Sequence, residues 1–228
     1  MIRLATIKDY PGIRNVWENC FTTDTEYLDL FFNHCNSKVS LIYEIDKKIV
    51  SSLHTLPISY ISSSHNEGYK ICFPGLYLYG VGTLPEYRGK GYSSSLLSYL
   101  GNNAQKLGWD FIITHPAEPT LINFYKKNGY YLSIFKKEKL PFCEKKSNIL
   151  DYSGIDLFRI RKKLLRSNYF EWSHIMLSYI IQEAKLNPEE PKEHILAETK
   201  KDPLALINPL SSFFSIDNNE AVFSFTME

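Results

Sequence analysis

The spacing of apolar residues changes period several times along the chain, and each change marks an element. Residues 2–5 read as a short strand. Thr6 can then cap a helix, with Asp9 three positions on able to hold the exposed amides, and Ile13, Val16, Trp17 and Cys20 recur on one helical face. A second helical stretch over residues 27–34 carries Leu28, Leu30, Phe31 and Phe32. Residues 39–45 and 49–60 are rich in strand formers and are joined by the tight polar turn Asp46-Lys47-Lys48, which reads as an antiparallel hairpin. A looser polar turn over 62–68 leads into a third run, 69–83, so the three strands predict an antiparallel meander. From Ser93 the helical period returns, with Leu96, Leu97, Leu100, Ala104 and Leu107 on one face until Gly108 supplies a stop. A short apolar strand over 111–114, a short helix over 119–128 opened by Pro119, and a strand over 130–135 complete the order β-α-α-β-β-β-α-β-α-β.

Past residue 140 the character shifts. Lys145-Lys146-Ser147-Asn148 reads as a linker, residues 156–166 and 172–185 as helices, and Pro188-Glu189-Glu190-Pro191 as a break. Trp172, Ile175, Met176, Tyr179 and Ile180 form an apolar helical stripe, read as core packing ahead of a wall for a binding pocket. Two β-like runs, 212–216 and 221–227, flank the turn Asp217-Asn218-Asn219-Glu220 as a late hairpin. The chain thus divides into a main domain over 1–140 and a helical and hairpin extension over 141–228, which is near the lower size for independent folding and is expected to pack on the first part. The expected class is α+β: a mixed, mostly antiparallel central sheet flanked by helices, with a C-terminal α/β extension packed on it.

Composition narrows the function. With 44% hydrophobic and 22% charged residues the 228-residue chain has the profile of a soluble globular protein. A net charge of +1 supplies no field for nucleic acid or an anionic membrane, and no stretch approaches the ~20 apolar residues of a membrane span. The N-terminus has no apolar leader core, so a cytoplasmic protein is expected. Cys20, Cys35, Cys72 and Cys143 are scattered without metal-ligand spacing, which argues for reduced thiols and no metal site. The sequence is silent on oligomeric state.

Candidate chemistry concentrates at Arg88-Gly89-Lys90-Gly91-Tyr92-Ser93, at the junction between a strand and an amphipathic helix. Gly89 and Gly91 let the backbone bend sharply, so that their amides and those opening the helix converge on one point. Those first amides lack intrahelical partners and sit at the positive end of the helix dipole, which suits a pyrophosphate, and Arg88 or Lys90 can add countercharge. Neither G-x-G-x-x-G nor G-x-x-x-x-G-K-[ST] occurs, which disfavours a dinucleotide-binding or P-loop enzyme.

The run from Thr83 to Ser93 resembles motif A of the GNAT superfamily of N-acetyltransferases, Gln or Arg, two residues, Gly, one residue, then Gly or Ala; Arg88, Gly91 and Ser93 stand in those places, with Ser a departure. Downstream, Phe124-Tyr125 followed by Gly129-Tyr130 resembles motif B. The family often has Asn seven residues before that Tyr, where this chain has Glu118. The resemblance covers residues 1–140, and the motif with its C-terminal extension is loosely similar to the enhanced-intracellular-survival acetyltransferases. It implies a GNAT fold and transfer of an acetyl group from acetyl-CoA, without a metal, to a primary amine of a small molecule, peptide or protein by direct attack in a ternary complex. By the same resemblance Tyr125 is the acid that protonates the departing thiolate, Val81, Gly82 and Thr83 hold the pantetheine and thioester, and Arg88, Gly89, Lys90, Gly91, Tyr92 and Ser93 bind the diphosphate. A phenol of pKa ~10 is protonated at neutral pH and can donate to a thiolate of pKa ~8.5. Candidate bases for the incoming amine are His54, His115, Glu118 and Glu228. The competing reading is a noncatalytic acyl-CoA sensor or interaction protein on the same fold.

Overall fold

A computed structural model describes residues 1–34, 40–63, 70–134, 152–165, 168–186, 204–212 and 214. Its strands are β1 (Ile2–Leu4), β2 (Ser40–Ile45), β3 (Lys48–Ser63), β4 (Lys70–Thr83), β5 (Phe111–Thr114), β6 (Tyr131–Ile134), β7 (Tyr169–Trp172) and β8 (Leu204–Pro209). Its α-helices are α1 (Tyr10–Cys20), α2 (Thr25–His34), α3 (Tyr92–Lys106), α4 (Ile122–Lys127), α5 (Gly154–Leu164) and α6 (His174–Leu186).

The eight strands form one sheet in the order β1-β2-β3-β4-β5-β8-β6, with β7 pairing on β3 beyond the reach of β2. Every pairing is antiparallel except β4 with β5, so the mixed, mostly antiparallel sheet expected from the sequence is what forms. The meander is present as read. Its first turn is the two-residue Asp46-Lys47, with φ of 47° and 63°, the left-handed pair that matches the twist of a hairpin.

Alternation along the strands sorts side chains between two layers. On β4, Leu76 and Leu78 join Leu96, Leu97, Leu100 and Ala104 of α3, whereas Tyr77 and Tyr79 face the layer built from α1, α2 and α6. On β5, Ile112 packs with α3 while Phe111 and Ile113 pack on the opposite side. The stop at Gly108 is confirmed by its φ of +82°. At the other end of the domain the expected capping of Thr6 is present, since Asp9 Oδ2 accepts from the Thr6 amide at 2.7 Å. The same carboxylate is clamped by Arg3 at 2.7 Å, which holds Asp9 far below the usual carboxylate range.

Three expectations past residue 140 change. Residues 169–172 are strand β7, so Trp172 belongs to the sheet and the following helix begins at His174. The buried face of α6 is Met176, Leu177, Tyr179, Ile180, Ile181 and Glu183, while Ile175 is 60% exposed and drops out of the stripe. Strand β8, absent from the sequence reading, lies between β5 and β6. The late hairpin falls outside the described residues except for Ser212 and Phe214, whose ring stacks on Phe111 at 4.5 Å.

Candidate active site

The site forms where β4 and β5 part. Their parallel pairing runs from Gly75–Phe111 to Tyr77–Ile113, and a Thr114 hydroxyl contact to the Leu78 carbonyl at 3.2 Å is the last link. On its other edge β4 carries a bulge, because Ser52 pairs with Gly82 and His54 with Tyr79, which leaves Gly80 and Val81 opposite the single residue Leu53. Gly80 has φ +57° and lies against Trp17, where an added Cβ would fall 2.3 Å from the indole. The bulge therefore depends on glycine twice, for its backbone and for the ring beside it.

Beyond β4 a 3₁₀ turn over Pro85–Tyr87 leads into the glycine turn. Gly89 and Gly91 have φ of +76° and +81°, and a Cβ at either would meet nothing within 4 Å. Gly91 is the N-cap of α3 and no side chain among the described residues caps that end, so the first amides of a 15-residue helix have no side-chain acceptor beside a glycine turn that is open on its Cβ side. Lys90 lies 5.1 Å over the Tyr87 ring, placing positive charge beside the turn, while Lys48, at the same distance from that ring, is paired with Glu86 at 3.0 Å. Arg88 is turned back, with Nε donating to the Thr83 carbonyl at 3.1 Å. Ser93 is also turned toward the sheet. Ser51 Oγ donates to the Gly82 carbonyl at 2.7 Å, so Thr83 Oγ1, 2.8 Å away, donates to Ser51, and Ser93 Oγ, at 2.6 Å, donates to Thr83. That chain explains how serine stands where the motif has glycine or alanine, because its hydroxyl is directed away from the open side of the turn.

Between the parted strands lies a cleft of about 620 Å³. Val81 and Tyr125 line it, whereas Gly82, Thr83 and residues 88–93 continue from it along β4 and into α3. Tyr125, from α4, is buried and shares a hydrogen bond with Thr114; burial raises its pKa and the Thr114 contact pulls it partly back. Across the cleft the hydroxyls of Tyr27 and Tyr79 hydrogen-bond to each other, and burial pushes the Tyr79 phenol well up. Trp17, Tyr27 and Tyr79 are wall residues that the motifs did not mark. Of these, the sequence pattern marked Trp17 alone, as part of the apolar face of the first helix.

The candidate bases separate. His115 lines the cleft. Glu118 is outside the lining and accepts the Thr120 hydroxyl at 3.0 Å, and Glu228 is outside the described residues. His54 is fully buried; its Nε2 accepts the Trp17 indole N–H at 2.9 Å, so the proton sits on Nδ1, 2.9 Å from Ser40 Oγ. Burial lowers its pKa from 6.5 to about 3. With both nitrogens committed, His54 fixes α1 to the sheet and leaves proton transfer to others. The unfolded chain takes up this proton below pH 6.5 and the folded chain only near pH 3, so this contribution is complete above 6.5 and is lost as pH falls toward 3. From pH 7.5 to 5 the unfolding free energy is expected to drop by about 2 kcal/mol on this account, read by urea melts at both values, and His54→Gln should flatten that slope.

Comparison with known proteins agrees with this geometry. Residues 1–133 match the family model of the acetyltransferase (GNAT) domain. A search of curated proteins gives no match. Among solved structures, the chain is similar to a GCN5-related N-acetyltransferase from Kribbella flavida, with TM-score 0.59 and 13% identity over 92% of this chain and 72% of that one. It is also similar to the GNAT family N-acetyltransferase YhbS from Escherichia coli in complex with CoA, with TM-score 0.51 and 12% identity over 99% and 89%. Eis1 from Mycobacterium abscessus is a third, with TM-score 0.57 and 10% identity over 83% of this chain and 49% of that one, in line with the loose similarity read from the sequence. At these identities the structures speak for the fold, and the family model speaks for kinship. With more than half of its length inside that model, and a glycine turn opening α3 beside a parted β4–β5 pair, the chain belongs to the GNAT acetyltransferase family.

Proposed function

We propose that the protein is an N-acyltransferase that moves the acetyl group of acetyl-CoA to a primary amine by direct attack. The observation that carries this reading is the continuity of three features: the uncapped α3 terminus with its two open glycines, the bulge at Gly80–Val81, and the cleft into which Tyr125 opens. The amides from Gly89 to Ser93 would grip the diphosphate, with Lys90 nearby as countercharge and Arg88 bracing the turn. Val81, Gly82 and Thr83 would carry the pantetheine toward the cleft, where a Val81 amide can polarise the thioester carbonyl.

The amine nitrogen forms its bond to the carbonyl carbon as the carbon–sulfur bond breaks. His115, directly or through a water, takes the proton that turns the ammonium into the attacking amine; Tyr125 gives its phenolic proton to the leaving sulfur, and the second proton that nitrogen loses as the amide forms passes through water to reprotonate Tyr125. Because burial raises the Tyr125 pKa, donation to sulfur is uphill by itself and has to accompany bond cleavage. Residues 1–140 carry this chemistry, while 141–228 support it through β7 and β8. No helix among the described residues is long and apolar enough to cross a membrane. The cytoplasm is the compartment we propose, on the scattered cysteines of the sequence.

The decisive experiment pairs calorimetric titration of CoA and acetyl-CoA with thiol release from acetyl-CoA across a broad set of amines. Binding and amine-dependent release are expected. Binding with no release for any amine would favour an acyl-CoA sensor, and no binding at all would remove the assignment of the glycine turn.

A further inference from the structure

Building on the transferase reading, we propose that the acceptor is a monoamine carried on an aromatic or apolar body, docked against the wall of Phe21, Tyr27 and Tyr79 with its ammonium toward Asp24. Among the described residues the cleft lining contains one carboxylate, Asp24, and no lysine or arginine. An acceptor with a carboxylate or phosphate of its own would be desolvated there without a cation, and a polycation would bring several ammonium groups to one acid.

The aromatic walls have most of their polar atoms engaged, and Thr22, Thr114, His115 and Tyr125 are polar side chains of the lining beside them. Trp17 is centred 5.0 Å from Phe21, 6.2 Å from Tyr27 and 5.7 Å from Tyr79. Its indole N–H is given to His54 and its ring is buried, so Trp17 backs the outer rings of the wall. The Tyr27 and Tyr79 hydroxyls are bonded to each other. Such a wall has little to give a sugar or a peptide backbone, both of which demand a hydrogen bond for nearly every polar atom they bury. It suits a flat apolar group, and ring faces also attract an ammonium. Asp24 is held at the start of α2, where its Oδ1 accepts from the amides of Glu26 at 2.9 Å and Tyr27 at 3.2 Å, leaving Oδ2 for the ligand. Phe21, 50% exposed, forms the outer part of the same wall. A volume near 620 Å³ falls within the ~300–1,000 Å³ of small-molecule sites.

The test measures acetyl-CoA thiol release with phenethylamine, n-butylamine, spermidine, glycine and a hexapeptide with N-terminal alanine, alongside CoA titration. The specificity constant kcat/KM with phenethylamine is expected to exceed those with spermidine, glycine and the peptide by roughly tenfold or more. Asp24→Asn should raise the phenethylamine KM about three- to fivefold with kcat little changed, as for a solvent-screened ion pair. Phe21→Ala should weaken apparent binding of phenethylamine, read as KM, more than that of n-butylamine. A preference for spermidine, glycine or the peptide, or an unchanged KM in both variants, would overturn the acceptor class while leaving the transferase intact. Absence of CoA binding, or of release with every amine, would instead bring down the transferase reading and this proposal with it.

Discussion

Gly91→Glu is expected to raise the dissociation constant for CoA roughly 100-fold, from loss of one or two charge-assisted hydrogen bonds at about 1.5–3 kcal/mol each. Gly91 sits at φ +81° as the N-cap of α3 with open space where a side chain would go, so the new carboxylate would project into the region assigned to the diphosphate. It would compete for the same amides and repel the phosphates. A non-glycine residue in the left-handed region also costs about 1–2 kcal/mol of backbone strain. Gly108 provides the control, since it has φ +82° and equally open surroundings at the far end of the same helix. Gly91→Ala and Gly108→Ala should lower the melting temperature alike, whereas only changes at 91 should weaken CoA in a calorimetric titration. Equal CoA affinity in Gly91→Glu and the parent would mean the diphosphate lies elsewhere.

Tyr125→Phe is expected to lower kcat by about 10²–10³-fold while the CoA dissociation constant stays within about twofold. The change removes one oxygen from a buried ring and the hydrogen bond it shares with Thr114, leaving the packing against Phe124 and Tyr130 in place. Steady-state rates and calorimetry on the same preparation separate the two quantities. In the parent enzyme, burial of Tyr125 also moves any alkaline loss of kcat above the pH ~10 of an ordinary phenol. An undiminished kcat in the phenylalanine variant would transfer the acid role to another group or to water.

The local signals were legible because they act over short separations. The Asp46-Lys47 turn, the period change at Ser93 and the stop at Gly108 each depend on a few neighbouring residues, and each stands where the sequence put it. Strands β7 and β8 were not legible, because a strand of four or six residues is defined by the edge it joins; Phe170 pairs with Tyr60 and Ile207 with Ile113, partners about a hundred residues away. Much of the glycine turn could be read from its own glycines. The wall opposite Tyr125 could not, since Trp17, Tyr27 and Tyr79 meet only after α1 and α2 fold onto the sheet. His54 shows the same limit from the other side. Its candidacy as a base rested on residue type, and burial with two engaged nitrogens gives it a structural role.

The position of β8 has a consequence for how the protein is made. On the ribosome β5 and β6 emerge first, yet the strand that lies between them starts only at Leu204. Until that segment arrives, the nascent chain holds two uncovered strand edges, so closure of the sheet awaits synthesis through Pro209.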